Sequence, residues 1–102
     1  MTENQTKRTK PSLTPVTYLE HDDKDYYIQV ELPGIKKEDI ELTVSDQSFC
    51  IRAEREDVVY LGCYVLAHFA DTGKVKTKFL NGLLNIMIPL KKLKKGTKVK
   101  ID

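Results

Sequence analysis

The stretch Val75-Lys76-Thr77-Lys78-Phe79-Leu80-Asn81-Gly82-Leu83-Leu84-Asn85-Ile86-Met87-Ile88-Pro89 decides the fold. Val75, Thr77 and Phe79 alternate with lysines, and Leu84, Ile86 and Ile88 resume the alternation beyond a short interruption. Period two is the pattern of a strand, whose successive side chains point to opposite faces. Asn-Gly between two such runs is the strongest short hairpin signal, because both residues tolerate the positive φ that a type I′ turn demands. Pro89 has no N–H to give a ladder and is expected to stop the second strand.

The same alternation extends toward the N-terminus. Val16 to His21 reads as a first strand, and His21 to Asp25 as a turn. Tyr26, Ile28, Val30 and Leu32 oppose Tyr27, Gln29 and Glu31 until Pro33-Gly34. Ile35 to Asp39 is a connector with room for one helical turn. Ile40, Leu42 and Val44 then oppose Glu41, Thr43 and Ser45, and after an Asp46-Gln47 turn Phe49, Ile51 and Ala53 oppose Cys50, Arg52 and Glu54. Val58 to Phe69 reads as one long strand, apolar on both faces, as expected of a strand in mid-sheet or in an interface. About seven short strands with frequent turns and no long amphipathic helix predict an all-β, immunoglobulin-like antiparallel β-sandwich.

Composition agrees. A chain of 102 residues with 40% hydrophobic and 31% charged residues is expected to be one soluble globular domain. The net charge of +2 is uneven: Lys91, Lys92, Lys94, Lys95, Lys98 and Lys100 crowd the C-terminus while the middle of the chain is acidic. A uniformly basic face is absent, so no nucleic-acid partner is expected. No run approaches the ~18 apolar residues that cross a bilayer, and Met1 to Pro11 lacks the apolar centre of a secretory signal. No membrane partner and a cytoplasmic location are therefore expected.

Catalytic chemistry finds no foothold. His21 lies in an acidic turn and His68 at a strand end, and no nucleophile–base, zinc-protease or phosphate-loop pattern occurs. Asp22, Asp23 and Asp25 lack the Gly hinge and distal Glu of a calcium loop. Cys50 and Cys63 are too few for a zinc site and fall in apolar runs, where free cysteine packs as a small hydrophobe. They are read as buried thiols, with a disulfide as the alternative. No enzyme activity, cofactor or metal is expected.

Three patterns together resemble the small heat-shock proteins, in particular microbial and archaeal members of this α-crystallin-domain family. Tyr27-Ile28-Gln29-Val30-Glu31-Leu32-Pro33-Gly34-Ile35-Lys36-Lys37-Glu38-Asp39-Ile40 is similar to the family's strand, Pro-Gly turn and K-E-D-I entry, and continues into Phe49-Cys50-Ile51-Arg52-Ala53-Glu54-Arg55-Glu56. Phe79 to Pro89 resembles the A-x-x-x-N-G-V-L signature, with Thr77 at the Ala position and Leu83 at the Val position. Val99-Lys100-Ile101 resembles the C-terminal I-x-I motif.

The resemblance implies a short N-terminal arm over 1–15, an α-crystallin-type sandwich over 16–90 and a lysine-rich extension over 91–102. It implies an ATP-independent holdase whose partners are unfolded client proteins and other copies of itself. Val99 and Ile101 would anchor the tail in a groove between the Ile40–Ser45 and Val75–Phe79 strands, with Leu42, Val44, Val75 and Thr77 as candidate liners. The loop that microbial and plant members exchange to dimerise is missing after Glu56. Tyr60, Gly62 and Tyr64, in the long strand by which animal members pair, are therefore the candidate dimer edge. A CS-type adaptor that docks on another chaperone or a targeting ATPase is the alternative function.

Overall fold

Residues 10–92 and 96–102 are described by a computed structural model of the chain. Among them are nine strands: β1 (Ser12–Leu13), β2 (Thr17–His21), β3 (Asp25–Glu31), β4 (Ile40–Ser45), β5 (Ser48–Arg55), β6 (Val58–Val65), β7 (Phe69–Ala70), β8 (Lys76–Leu80) and β9 (Leu83–Lys92). One sheet has the order β1-β6-β5-β4, and the other runs β2-β3-β9 with β7 and β8 both along the far side of β9. Single 3-10 turns at Lys37–Asp39 and Thr72–Lys74 make the connections. No helix among the described residues is long and apolar enough to cross a membrane.

Alternation builds the core. Tyr26, Ile28 and Val30 of β3, Phe49, Ile51 and Ala53 of β5, and Leu84, Ile86 and Ile88 of β9 are buried between the sheets. Each large side chain so placed contributes about 1.5–3 kcal/mol of hydrophobic stabilisation. The hairpin expected at Asn81-Gly82 is present, with φ of 52° and 79°. The two sheets of the expected sandwich are therefore both there, built from the faces that the alternation singled out.

Four expectations need correction. Pro89 does not end its strand: β9 continues to Lys92. Leu90 donates its N–H to Lys24 O, whereas the Pro89 carbonyl faces the other way and accepts from Asp71 N–H. The missing proline N–H thus lies on the side where the β7 register shifts, and a bulge tolerates it. The long Val58–Phe69 strand is interrupted after Val65, where Leu66 turns into the core and donates its N–H to Gln47 O. Phe69–Ala70 has by then left the first sheet and pairs with β9. Val75 precedes β8 rather than belonging to it.

The fourth correction concerns the cysteines. Cys50 and Cys63 are direct cross-strand partners in the β5–β6 register and form a disulfide, with Cα atoms 4.1 Å apart. Both residues project from the outer face, opposite to Phe49, Ile51 and Tyr64, so they are not buried thiols. Within the segment expected to be an arm, residues 1–9 lie outside the described residues. Ser12–Leu13 pairs in parallel with Val59–Tyr60 of β6.

Candidate functional site

β4 and β8 are the free edges of the two sheets on one side of the sandwich, since among the described residues β4 pairs with β5 alone and β8 with β9 alone. Between them opens a groove of about 440 Å³, lined by Lys37, Ile40, Leu42, Thr77, Lys78, Phe79 and Leu84. Its floor is apolar because Ile40, Leu42 and Phe79 face inward and pack on the core, yet each stays only half-buried. The reason is topological: an edge strand has no neighbour to cover its open side. Thr77 occupies an inward position of β8 and is nonetheless exposed.

The backbone adds to this. Two-residue turns close the β4–β5 and β8–β9 hairpins, so Ser45–Ser48 and Leu80–Leu83 flank them. Hydrogen-bonded and non-bonded pairs alternate from such a turn. The N–H and C=O groups of Ile40, Leu42 and Val44, and of Thr77 and Phe79, therefore point outward from the sheet edges. Apolar side chains and unpaired main-chain groups face the same opening, which is what an extended peptide needs to bind by strand addition.

Of the four expected liners, Leu42 and Thr77 lie on the groove. Val44 and Val75 are half-buried, pack on the core and do not line it. Ile40 and Phe79 were missed, although each sits two residues from an expected liner on the same face, and period two was the signal for both. Val99 and Ile101 are 77% and 87% exposed, so the described chain does not seat its own tail in its own groove.

The third expected feature is the outer edge of β6. Lys10 Nζ contacts Glu54 Oε2 at 2.6 Å and donates to Arg55 O at 2.8 Å, and Val59 N–H donates to Pro11 O. These contacts lay residues 10–13 along the first half of β6 only. Hydrogen bonds from Lys10 and then Arg52 hold the Glu54 carboxyl below its ordinary value. From Leu61 to Val65 the edge has no partner among the described residues.

Tyr60, Gly62 and Tyr64 direct their backbone groups into the sheet toward β5, in phase with the Leu66–Gln47 bond. The open-edge donors and acceptors belong to Leu61, Cys63 and Val65, with Leu61 42% and Val65 82% exposed. Gly62 is needed for another reason: a Cβ there would come within 2.7 Å of Tyr64 Oη. Tyr64 folds back across it to stack on Phe49, with ring centroids 4.8 Å apart.

The structure also joins His21 and His68, read separately in the sequence, with ring centroids 4.7 Å apart beside Tyr26. Tyr26 Oη accepts from His68 N–H at 2.7 Å. No group of three or more His, Cys, Asp or Glu among the described residues is placed to hold a metal ion.

The sequence pattern described as the Hsp20/alpha crystallin family matches residues 18–102. Among curated proteins, Small heat shock protein C2 of Rickettsia felis is 27% identical over 91% of this chain and 71% of its own length. The 18 kDa heat shock protein of Clostridium acetobutylicum is 29% identical over 82% of this chain and 67% of its own. Among solved structures, heat shock protein 16.0 from Schizosaccharomyces pombe superposes with a TM-score of 0.71 at 21% identity, covering 88% of this chain and 99% of that one. That likeness concerns the fold.

Proposed function

This chain belongs to the Hsp20/alpha crystallin family, and from that premise we propose that it is an ATP-independent holdase that binds partly unfolded proteins and prevents their aggregation. The observation that carries the reading is the groove between β4 and β8, where apolar side chains and unpaired strand edges open to solvent together. A partly unfolded client exposes the same two features, apolar surface and unpaired strands, and these are what aggregate. Covering them needs no bond to be made or broken, so neither nucleotide nor catalytic residue enters the mechanism.

Self-association is part of the same proposal. Val99 and Ile101, two residues apart, project to the same side of an extended tail and enter the groove of a neighbouring copy as two apolar knobs. Leu42 and Thr77 receive them, with Ile40 and Phe79 alongside. The Leu61–Val65 edge of β6 pairs with its own copy across a two-fold axis, which removes the hazard of an open apolar edge. A cytoplasmic setting completes the reading. It can be checked on the native protein, because a reducing compartment would hold Cys50 and Cys63 as thiols.

The test is heat aggregation of a thermolabile client without ATP. Near-stoichiometric amounts of the chain are expected to slow light scattering. No protection at several-fold excess over client would overturn the holdase reading and leave an adaptor role.

A further inference from the structure

The outer face of the second sheet is ordered in rows. Antiparallel register sets Glu20 beside Tyr27, Tyr27 beside Met87 and Met87 beside Lys76. Two residues along each strand, the next row runs Tyr18, Gln29, Asn85, Lys78. Both rows line an open trough of about 880 Å³, and nothing in the described chain covers it: Tyr18 is 57% and Tyr27 40% exposed.

Each row has its lysine on β8, and the acid or aromatic that suits a lysine on β2. A two-fold axis lying in the plane of the face and parallel to the strands reverses the strand order while keeping each row opposite itself. Under that operation Glu20 meets Lys76 of the second copy, and Tyr18 meets Lys78. Tyr27 meets Met87, and Gln29 meets Asn85. Every pair is attractive: carboxylate with ammonium, ammonium with an aromatic face, thioether with an aromatic ring, amide with amide.

We propose that this face is an interface between two copies of the chain, packed sheet on sheet. Glu20, Lys76 and Lys78 take part in no ion pair among the described residues. Three inter-strand spacings, about 14 Å in all, keep Glu20 from reaching Lys76 within its own chain. The side chains of a facing copy are long enough to enter the trough, and sheets packed this way accommodate their twist by a modest crossing angle. The interface is isologous, so both ends of each row are used twice. It is separate from the β6 edge and meets the β4–β8 groove only along β8, where Thr77 and Lys78 line both, while Glu20 and Lys76 lie outside the groove.

Size-exclusion chromatography with light scattering on the full chain tests it. Glu20→Lys and Lys76→Glu each set like charges across the axis, and each is expected to lower the assembly mass to about half, with an unchanged circular dichroism spectrum. Mixing the two variants in equal amounts restores opposite charges at both ends of the row, and the parent mass is expected to return. One chain carrying both substitutions is expected to regain it too. A single variant that keeps the parent mass, or a mixture that stays at the lower mass, would overturn the interface. Mass is the only readout, so the result is independent of client protection.

Discussion

Tyr64 Oη and Thr17 Oγ1 share a hydrogen bond of 2.8 Å that ties β6 of one sheet to β2 of the other. The two residues are 47 positions apart. The bond closes the sandwich at the end where β6 is otherwise an open edge. Thr17 Oγ1 also donates to Pro15 O at 3.1 Å, so the hydroxyl stays partnered without Tyr64. Tyr64→Phe keeps the ring stacked on Phe49 and removes only the bridge. The expected cost is about 1 kcal/mol, read as a lower urea midpoint with an unchanged slope. A midpoint equal to the parent's would mean the bridge is replaced by water at no loss.

Proline substitutions separate the two sides of β6. Leu61→Pro removes an N–H that points to solvent, so the domain is expected to stay folded while self-pairing of the edge is lost. Gly62→Pro removes a ladder donor aimed at β5 and is expected to unfold the domain, because proline is tolerated in sheets only where its nitrogen faces an open edge or a bulge. Mass by light scattering and circular dichroism read the two outcomes. A Leu61→Pro chain that keeps every intermolecular contact would exclude this edge from assembly.

Tail docking predicts matched effects from its two sides. Val99→Ala with Ile101→Ala removes two apolar anchors, each worth about 1.5–3 kcal/mol if fully buried. Assemblies held by the tail are expected to fall apart while the domain stays folded. Thr77→Arg blocks the groove from the other side, and Thr77 is exposed, so the fold tolerates it. Parent mass in both variants would show that the tail does not dock there.

Cys50 and Cys63 are 13 residues apart in sequence and close a short loop across β5 and β6. By loop entropy alone, such a cross-link stabilises by about 3 kcal/mol. Adding a reductant, or replacing Cys63 by Ser together with Cys50 by Ser, is expected to lower the thermal midpoint by about 12–24 °C, since each kcal/mol shifts it by about 4–8 °C in a chain of this size. An identical midpoint with and without reductant would refute the contribution.

Acid acts on the tether of residues 10–13. Lys10 and Arg52 depress the Glu54 carboxyl, so its folded value lies below the unfolded one. The contribution of the Lys10–Glu54 contact is therefore complete above the ordinary carboxylate pKa of about 4.3 and is lost as pH falls through the lower folded value. The Val59 amide, which donates to Pro11 O, is expected to shift in the nuclear magnetic resonance spectrum over that window. Glu54→Gln is expected to abolish the shift, and the same titration in both chains would place its origin elsewhere.

Local patterning alone located most of the strands, the Asn81-Gly82 hairpin and the inward set from Tyr26 to Ile88, because side-chain period and turn conformation depend on near neighbours. The family was legible for the same reason, in three short motifs whose order and spacing carry it. Of the residues that line the candidate groove, Leu42 and Thr77 were expected, and from the family resemblance rather than from periodicity. The rest depends on which strand lies beside which. Whether Cys50 faces Cys63, whether Gly62 or Leu61 aims its N–H at solvent, and whether Glu20 shares a row with Lys76 are matters of register between segments far apart in the chain. Pro89 remains in its strand only because its bare nitrogen falls at a bulge. Burial and hydrogen bonding are pairwise and long-range, so tertiary structure decided them.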